Sequence, residues 1–338
     1  MEIDSTIQRV LAGYEARWQP VSIQAVNGAG GFSGARLWRL ETLGAPLCLR
    51  QWPAEYPTQE RLEFIQAVLW HAQQEGFDLA PVPLETRHRV GYVRQDGHFW
   101  ELAPWLPGQA DYRQAPSPVK LAAAMRVLAN FHQAVATFPL AEPEAMPSPG
   151  IAERSERLTG LVNGGLDALA AAVVDADWPE LAERARTLIR LFPLAADRVG
   201  RYLSVVGQLA VPIQPVIRDV WHEHVLFVGD RVTGLVDYGA LRAESVAADV
   251  ARLLGSLVDD DPAGWQAGLN AYESVRMMNG AERRLVPAFD RSAVLLSGLQ
   301  WLDWIYLKGR IFANRAAVVA RLDEIIARLR HLAEASGA

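Results

Sequence analysis

Three aspartates, two histidines and a glutamate are set into the segment RDVWHEHVLFVGDRVTGLVDYG, residues 218–239, among apolar runs that read as strand. HVLFV and VTGLVDY flank a Gly229-Asp230 turn, which predicts a β-hairpin. A hairpin returns its end close to its beginning, so Asp219, His224 and Asp237 are expected to converge. Phosphoryl transfer to an alcohol needs such a set: one carboxylate to accept the hydroxyl proton, and ligands for the divalent metal that bridges phosphate oxygens. The same groups with His222 and Glu223 are also proper ligands for a metal-dependent phosphohydrolase. Against that, His222 and His224 fall on opposite faces of an extended strand.

Two upstream features suit a nucleotide. In NGAGGFSGAR, residues 27–36, Gly28, Gly30, Gly31 and Gly34 let the backbone approach a ligand closely, and their amides with Ser33 can cradle phosphates. A flexible hairpin loop is the plainer alternative. The next element reads as a strand, whereas a dinucleotide fingerprint needs a helix there. Arg50, ending PLCLRQW, is a cation on the following strand that could grip α- and β-phosphates. Glu60 and Glu63, one turn apart on the next helix, are its candidate partners. For an acceptor, Trp301, Asp303 and Trp304 with the acidic run VDDD at 258–261 suit a cationic or sugar-like alcohol, although tryptophans on an apolar helix are commonly core.

The elements that must position these residues change along the chain. A helix is expected at 5–18, then short strands in VSIQAV, ARLWRLETL and PLCLRQW, and a helix capped by Thr58 that stops at Gly76. VPLETRHRVGYVRQDGHFWELAPWL reads as more strand, with QDG as a turn. From about residue 117 the pattern is helical, and the hairpin above is the one β-island in it. This gives an α+β chain with a small β-rich lobe over residues 1–104 and a large helical lobe over 105–338.

The net charge of −6 lacks the basic stripe of a nucleic-acid surface. One cysteine, Cys48, rules out an internal disulfide and suits a reducing compartment. MEIDSTIQRVLAGYEARW has no basic and apolar signal regions, and no apolar run is long enough for a bilayer, so a cytoplasmic protein without membrane contact is expected.

The order of glycine loop, basic strand residue, helix carboxylate, connector WELAPWLPGQ, Asp219 with His224, and Asp237-Tyr238-Gly239 resembles the aminoglycoside phosphotransferase and choline kinase family. LAAAMRVLANFHQ is similar to that family's first large-lobe helix, and AADVARLL to the segment whose aspartate braces the catalytic loop. The resemblance implies a bilobal protein-kinase-like fold and a small-molecule kinase. Its cofactors would be ATP or another nucleoside triphosphate and Mg²⁺, with Mn²⁺ as second choice. Its partner would be a small hydroxyl acceptor: an aminoglycoside, amino alcohol or sugar-like molecule. By the same resemblance Asp219 is the base, Asp237 the main metal ligand, His224 the second, and Asp249 structural. Ile217-Arg218 stands where the family has His-Gly, His224 where it has asparagine, and Arg50 where lysine is common. A nucleotide-binding pseudokinase is the interaction-module alternative those departures allow. Only residues 238–248 separate Asp237 from Asp249, too few for a protein kinase's activation segment.

Overall fold

The computed structural model describes residues 5–26, 34–141, 145–173, 178–312 and 314–334. Contacts divide the chain into two compact units, Met1–Pro139 with His222–Arg242, and Leu140–Trp221 with Ala243–Ala338.

The first unit is built on a five-stranded antiparallel sheet of β1 (Ser22–Ala25), β2 (Arg36–Glu41), β3 (Leu47–Gln51), β4 (Val93–Gln95) and β5 (His98–Pro104), in the order β1-β2-β3-β5-β4. Alternation along β3 buries Leu47 and Leu49 on one face, where they meet Leu102 of β5 and the apolar side of α1 (Ser5–Leu11). The turn between β4 and β5 puts Asp96 at φ 51° and Gly97 at φ 79°, the left-handed pair a tight hairpin needs. Helix α2 (Gln59–Gln74) opens where Thr58 Oγ1 accepts the Arg61 N–H, and it buries Leu62, Ile65, Val68 and Leu69.

The expected lobe boundary at residue 104 is not where contacts divide the chain. Helix α3 (Pro118–Ala134) and the hairpin of β9 (Val225–Val228) and β10 (Arg231–Leu235) pack with the sheet-bearing unit. Phe131 of α3 meets both Phe77 and Tyr238 edge to face or tilted. Gln109 and Phe227 exchange backbone hydrogen bonds of 3.0 and 2.8 Å, and Thr233 Oγ1 donates to the Pro107 carbonyl at 2.6 Å.

The second unit is mainly helical: α4 (Pro149–Gly160), α5 (Leu166–Ala172), α6 (Pro179–Val206), α7 (Ala247–Leu257), α8 (Pro262–Glu273), α9 (Gly280–Leu302) and α10 (Arg315–Glu334). Helices α6, α9 and α10 pack on one another, and α7 packs on α9. The hairpin is not the only strand structure past residue 117. β6 (Ala145–Pro147) pairs with β7 (Ala210–Pro212), and β8 (Gln214–Val216) with β11 (Arg242–Glu244). Three-residue strands, three of the four containing proline, carry too little period-2 signal to be read from sequence. Among the described residues, no helix is long and apolar enough to cross a membrane.

Candidate functional site

Of the glycine loop, Gly28, Gly30, Gly31 and Ser33 lie outside the described residues. Gly34 closes it at φ +79°, a left-handed conformation strained for any L side chain. Arg50 projects from β3 with its guanidinium carbon 4.8 Å over the Trp52 ring and Nη1 3.8 Å from Asp237 Oδ1.

The expected partners of Arg50 on α2 are not beside it. Glu60 and Glu63 are exposed, and Glu63 accepts hydrogen bonds from Gln59 at 2.9 Å and the Tyr92 hydroxyl at 2.8 Å, which hold its carboxyl below the usual range. The polar side chain that α2 turns inward is Gln66, 1% exposed. Its Nε2 donates at 2.6 Å to Glu101, a buried carboxylate on β5 that also accepts from Trp52 Nε1. Glu101 is the cross-strand neighbour of Arg50 in the β3–β5 pairing. Burial pushes the Glu101 carboxyl up, and the Arg50 charge opposes that rise.

Asp237 lies just past the end of β10, at φ +65°. Its half-exposed carboxylate has Arg50 near Oδ1 and His224 Nε2 3.6 Å from Oδ2. His222–His224 form a 3-10 turn rather than extended strand, and the Val236 N–H donates to the His224 carbonyl at 2.9 Å. The loop beyond Asp237 is tied to α2 and the residues before it: the Tyr56 hydroxyl donates to the Gly239 carbonyl, and Arg61 Nη2 to that of Leu241. A Cβ on Gly239 would come within 3.3 Å of the Trp52 ring, so the backbone approaches that indole closely.

Asp219 belongs to the second unit, so it and the Asp237 group are separate halves of the expected set. Its loop is braced by Asp249 of α7, fully buried, whose two oxygens accept the Ile217 and Arg218 N–H groups at 2.7 and 2.6 Å. Arg218 sits at φ +67° and pairs through Nη2 with Glu153 at 2.6 Å. Arg252, one turn after Asp249, donates Nε–H and Nη2–H to Asp219 Oδ1 at 3.1 and 3.0 Å. That leaves Asp219 Oδ2 without a hydrogen bond among the described residues, on a side chain 58% exposed. Arg252 and Arg321 both approach the Trp221 ring, at 5.7 and 5.1 Å. Such a carboxylate is fixed through one oxygen and open at the other, the arrangement a general base needs.

The same unit contains a cleft of about 580 Å³ lined by Glu153, Glu156, Arg157, Leu161, Asp303 and Leu307, among others. Two helix irregularities shape it. Asn163 and Gly164 break the helical dihedrals after α4, with Gly164 at φ +105°, and α9 runs on into a π-turn at Asp303–Leu307. Of the expected acceptor residues, Asp303 lines this cleft. Trp301 is 7% exposed and packs on Trp304, Asp260 pairs with Arg328, and Asp261 caps α8. Arg252, Glu153 and Glu101 were missed from sequence. Arg252 had a legible signal, its helical spacing of three from Asp249; Glu101 had another, a lone acid in an apolar strand.

The family model described as the phosphotransferase enzyme family matches residues 26–286. The homoserine kinase of Methylobacterium nodulans is 26% identical over 253 residues, 73% of this chain and 71% of that protein. Among solved structures, a spectinomycin phosphotransferase in complex with ADP and spectinomycin aligns with a TM-score of 0.71 at 11% identity, covering 100% of this chain and 98% of that one. An amicoumacin kinase in complex with AMP-PNP, Ca²⁺ and Ami aligns at 0.62 and 14% identity, covering 96% and 94%. These structural likenesses carry the kinase-like fold, with a β-rich N-terminal region and a mostly helical C-terminal part.

Proposed function

The chain belongs to the phosphotransferase enzyme family, and from that premise we propose that it moves the γ-phosphoryl group of ATP to a hydroxyl of a small, amine-bearing alcohol. In the helical unit, Asp219 Oδ2 accepts the hydroxyl proton as the alcohol oxygen attacks phosphorus; the bond to the β-phosphate oxygen breaks, and ADP and a phosphate monoester leave. Arg252 keeps Asp219 in one orientation, and Asp249 keeps the loop beneath it.

In the sheet-bearing unit, Arg50 holds nucleotide phosphates, its charge permanent and its fork suited to oxygen pairs. Gly34, in a left-handed conformation with no side chain, lets its backbone approach the phosphate chain closely. Asp237 fits a divalent cation, offering a hard, half-exposed carboxylate oxygen held in a strained loop. His224 offers nitrogen, which Mn²⁺ accepts more readily than Mg²⁺. When bound, the metal neutralises charge on the phosphate oxygens.

The observation that carries this reading is the half-engaged carboxylate of Asp219, fixed by Arg252 at Oδ1 and open at Oδ2. For the acceptor, support comes from the cleft in the same unit, whose wall carries Glu153, Glu156 and Asp303. Carboxylates on a cleft wall favour a ligand with an ammonium group, a property shared by amino alcohols, hydroxy-amino acids and aminoglycosides. Names of relatives agree with that class: one acts on homoserine, another is bound to spectinomycin.

The test is ADP release from ATP with Mg²⁺ or Mn²⁺ over a panel of homoserine, ethanolamine, aminopropanol, aminoglycosides and amine-free sugars. Acceptor-dependent turnover with the amines, lost in Asp219→Asn, is expected. Turnover with amine-free sugars alone would overturn the acceptor class, and full activity in Asp219→Asn would overturn the mechanism.

A further inference from the structure

Resting on the nucleotide role of Arg50 above, we infer that Glu101 on β5, not a carboxylate of helix α2, is the positioning residue for the Arg50 phosphate clamp. Four observations converge on it. Arg50 and Glu101 are directly opposed across the β3–β5 ladder, so their side chains leave the same face of the sheet. Glu101 is 8% exposed, and both of its oxygens are engaged, one by Trp52 Nε1 and the other by Gln66 Nε2. The Trp52 ring that donates to Glu101 is also the ring over which the Arg50 guanidinium lies, 4.8 Å from its centroid. Lastly, α2 turns an uncharged amide, Gln66, toward this cluster and leaves Glu60 and Glu63 on its exposed side.

A buried carboxylate with two N–H donors is stable as an anion only beside a compensating charge, and Arg50 supplies it. In return the anion fixes which way the guanidinium lies, between the indole and Asp237. Because Glu101 sits on the strand next to Arg50, the clamp is assembled within the sheet itself. The helix contributes a neutral hydrogen bond through Gln66, so the charge pair does not depend on how α2 is placed. A clamp of this kind needs no partner or modification to swing a helix carboxylate into position.

The experiment is ADP and ATP titration by calorimetry on the full chain. Glu101→Gln is expected to weaken nucleotide binding about tenfold, the scale of one lost charge-assisted interaction. Glu101→Asp, which keeps the charge, recovers part of it. Glu63→Gln and Glu60→Gln bind as the unaltered protein does. In an Arg50→Met background, Glu101→Gln costs nothing further, because its effect passes through Arg50; a merely structural role would cost the same in both backgrounds.

Should Glu101→Gln fail to fold, Trp52→Phe leaves a smaller aromatic ring near Arg50 and removes the N–H donor to Glu101; it is expected to weaken binding several-fold in the Arg50 background alone. Unchanged affinity in both Glu101→Gln and Trp52→Phe, equal losses with and without Arg50, or a loss confined to Glu63→Gln would each overturn the inference. If the unaltered protein binds neither nucleotide, the kinase reading itself falls, and this assignment with it.

Discussion

The carboxylate of Asp249 accepts the backbone N–H of Arg218 at 2.6 Å, and Arg218 is held there at φ +67°. A non-glycine residue in that region costs roughly 1–3 kcal/mol and persists where surrounding contacts over-determine it. Here the second Asp249 oxygen takes the Ile217 N–H, so one buried side chain fixes the two residues that precede Asp219. Asp249→Asn would turn an NH₂ toward one of those N–H groups. It should destabilise the protein by about 1–3 kcal/mol, the cost of a buried donor left unsatisfied. Phosphotransfer should fall with it, while nucleotide affinity, which the proposed function assigns to the other unit's residues, stays close to the original. Urea unfolding and ADP titration on the same preparation check both; a stable variant with full turnover would refute the brace.

Arg252 acts on Asp219 through two N–H groups on one oxygen. Cutting it back to alanine removes the constraint without touching the base. Misplacing a reacting group by about 1 Å can cost on the order of 10²-fold, so kcat for Arg252→Ala should drop by about 10–100-fold, with acceptor and nucleotide KM little changed. Added guanidinium ion should restore part of the rate. A loss that appears wholly in KM would make Arg252 a substrate-binding residue instead.

Within the cleft proposed for the acceptor, Glu153 is paired with Arg218, and Asp303 with Lys308 at 2.8 Å and Arg157 at 3.9 Å. Glu156 has no ion-pair partner among the described residues and lies on an exposed turn of α4. It is the wall carboxylate with charge to spare. Glu156→Gln should raise KM for an amine-bearing acceptor about three- to tenfold, the scale of a partly exposed charge contact. The kcat should hold. Equal KM in variant and original, across several amine acceptors, would remove the cleft from the acceptor site.

What could be read in the sequence was local. The Thr58 cap, the QDG turn and the Gly229-Asp230 hairpin are fixed by neighbours in the chain, and each stands where expected. Asp249 as a brace followed from a family motif and is realised by hydrogen bonds to Ile217 and Arg218. Glu60 and Glu63 do not stand beside Arg50, because helix spacing shows which residues share a face but not which face meets the sheet. That depends on apolar packing, which here turns Leu62, Ile65 and Gln66 inward and leaves Glu63 out. Glu101 depends on strand register, set by the pairing of β3 with β5 across a long separation in sequence. The cleft in the helical unit rests on two departures from regular helix, at Asn163–Gly164 and Asp303–Leu307, and periodicity arguments average over such breaks.

The C-terminal helix is fastened by a charge cluster whose balance depends on pH. Arg328 of α10 donates to both oxygens of Asp290 on α9, at 3.1 and 3.0 Å, and to Asp260 at 3.0 and 2.8 Å. His331 Nδ1 lies 3.1 Å from the other Asp260 oxygen. Burial pushes the Asp290 carboxyl up to about 6, against the pull of Arg328 and with the Asp260 charge adding to the rise. The folded protein therefore binds this proton more tightly than the unfolded chain, whose carboxyl titrates at 3.8. Where the folded state holds more protons, stability falls as pH rises. The contribution is full below about pH 4 and is lost on passing through about pH 6. Asp290→Asn cannot titrate, so it lacks this slope although it also loses the ion pair. Between pH 5 and pH 7.5 the original protein should lose about 1.4 kcal/mol more stability than the variant, one unit of pKa separating pH 5 from the folded value. Urea unfolding of both proteins at the two pH values reads the difference. Parallel pH dependences would show that Asp290 is already ionised throughout, with Arg328 outweighing its burial.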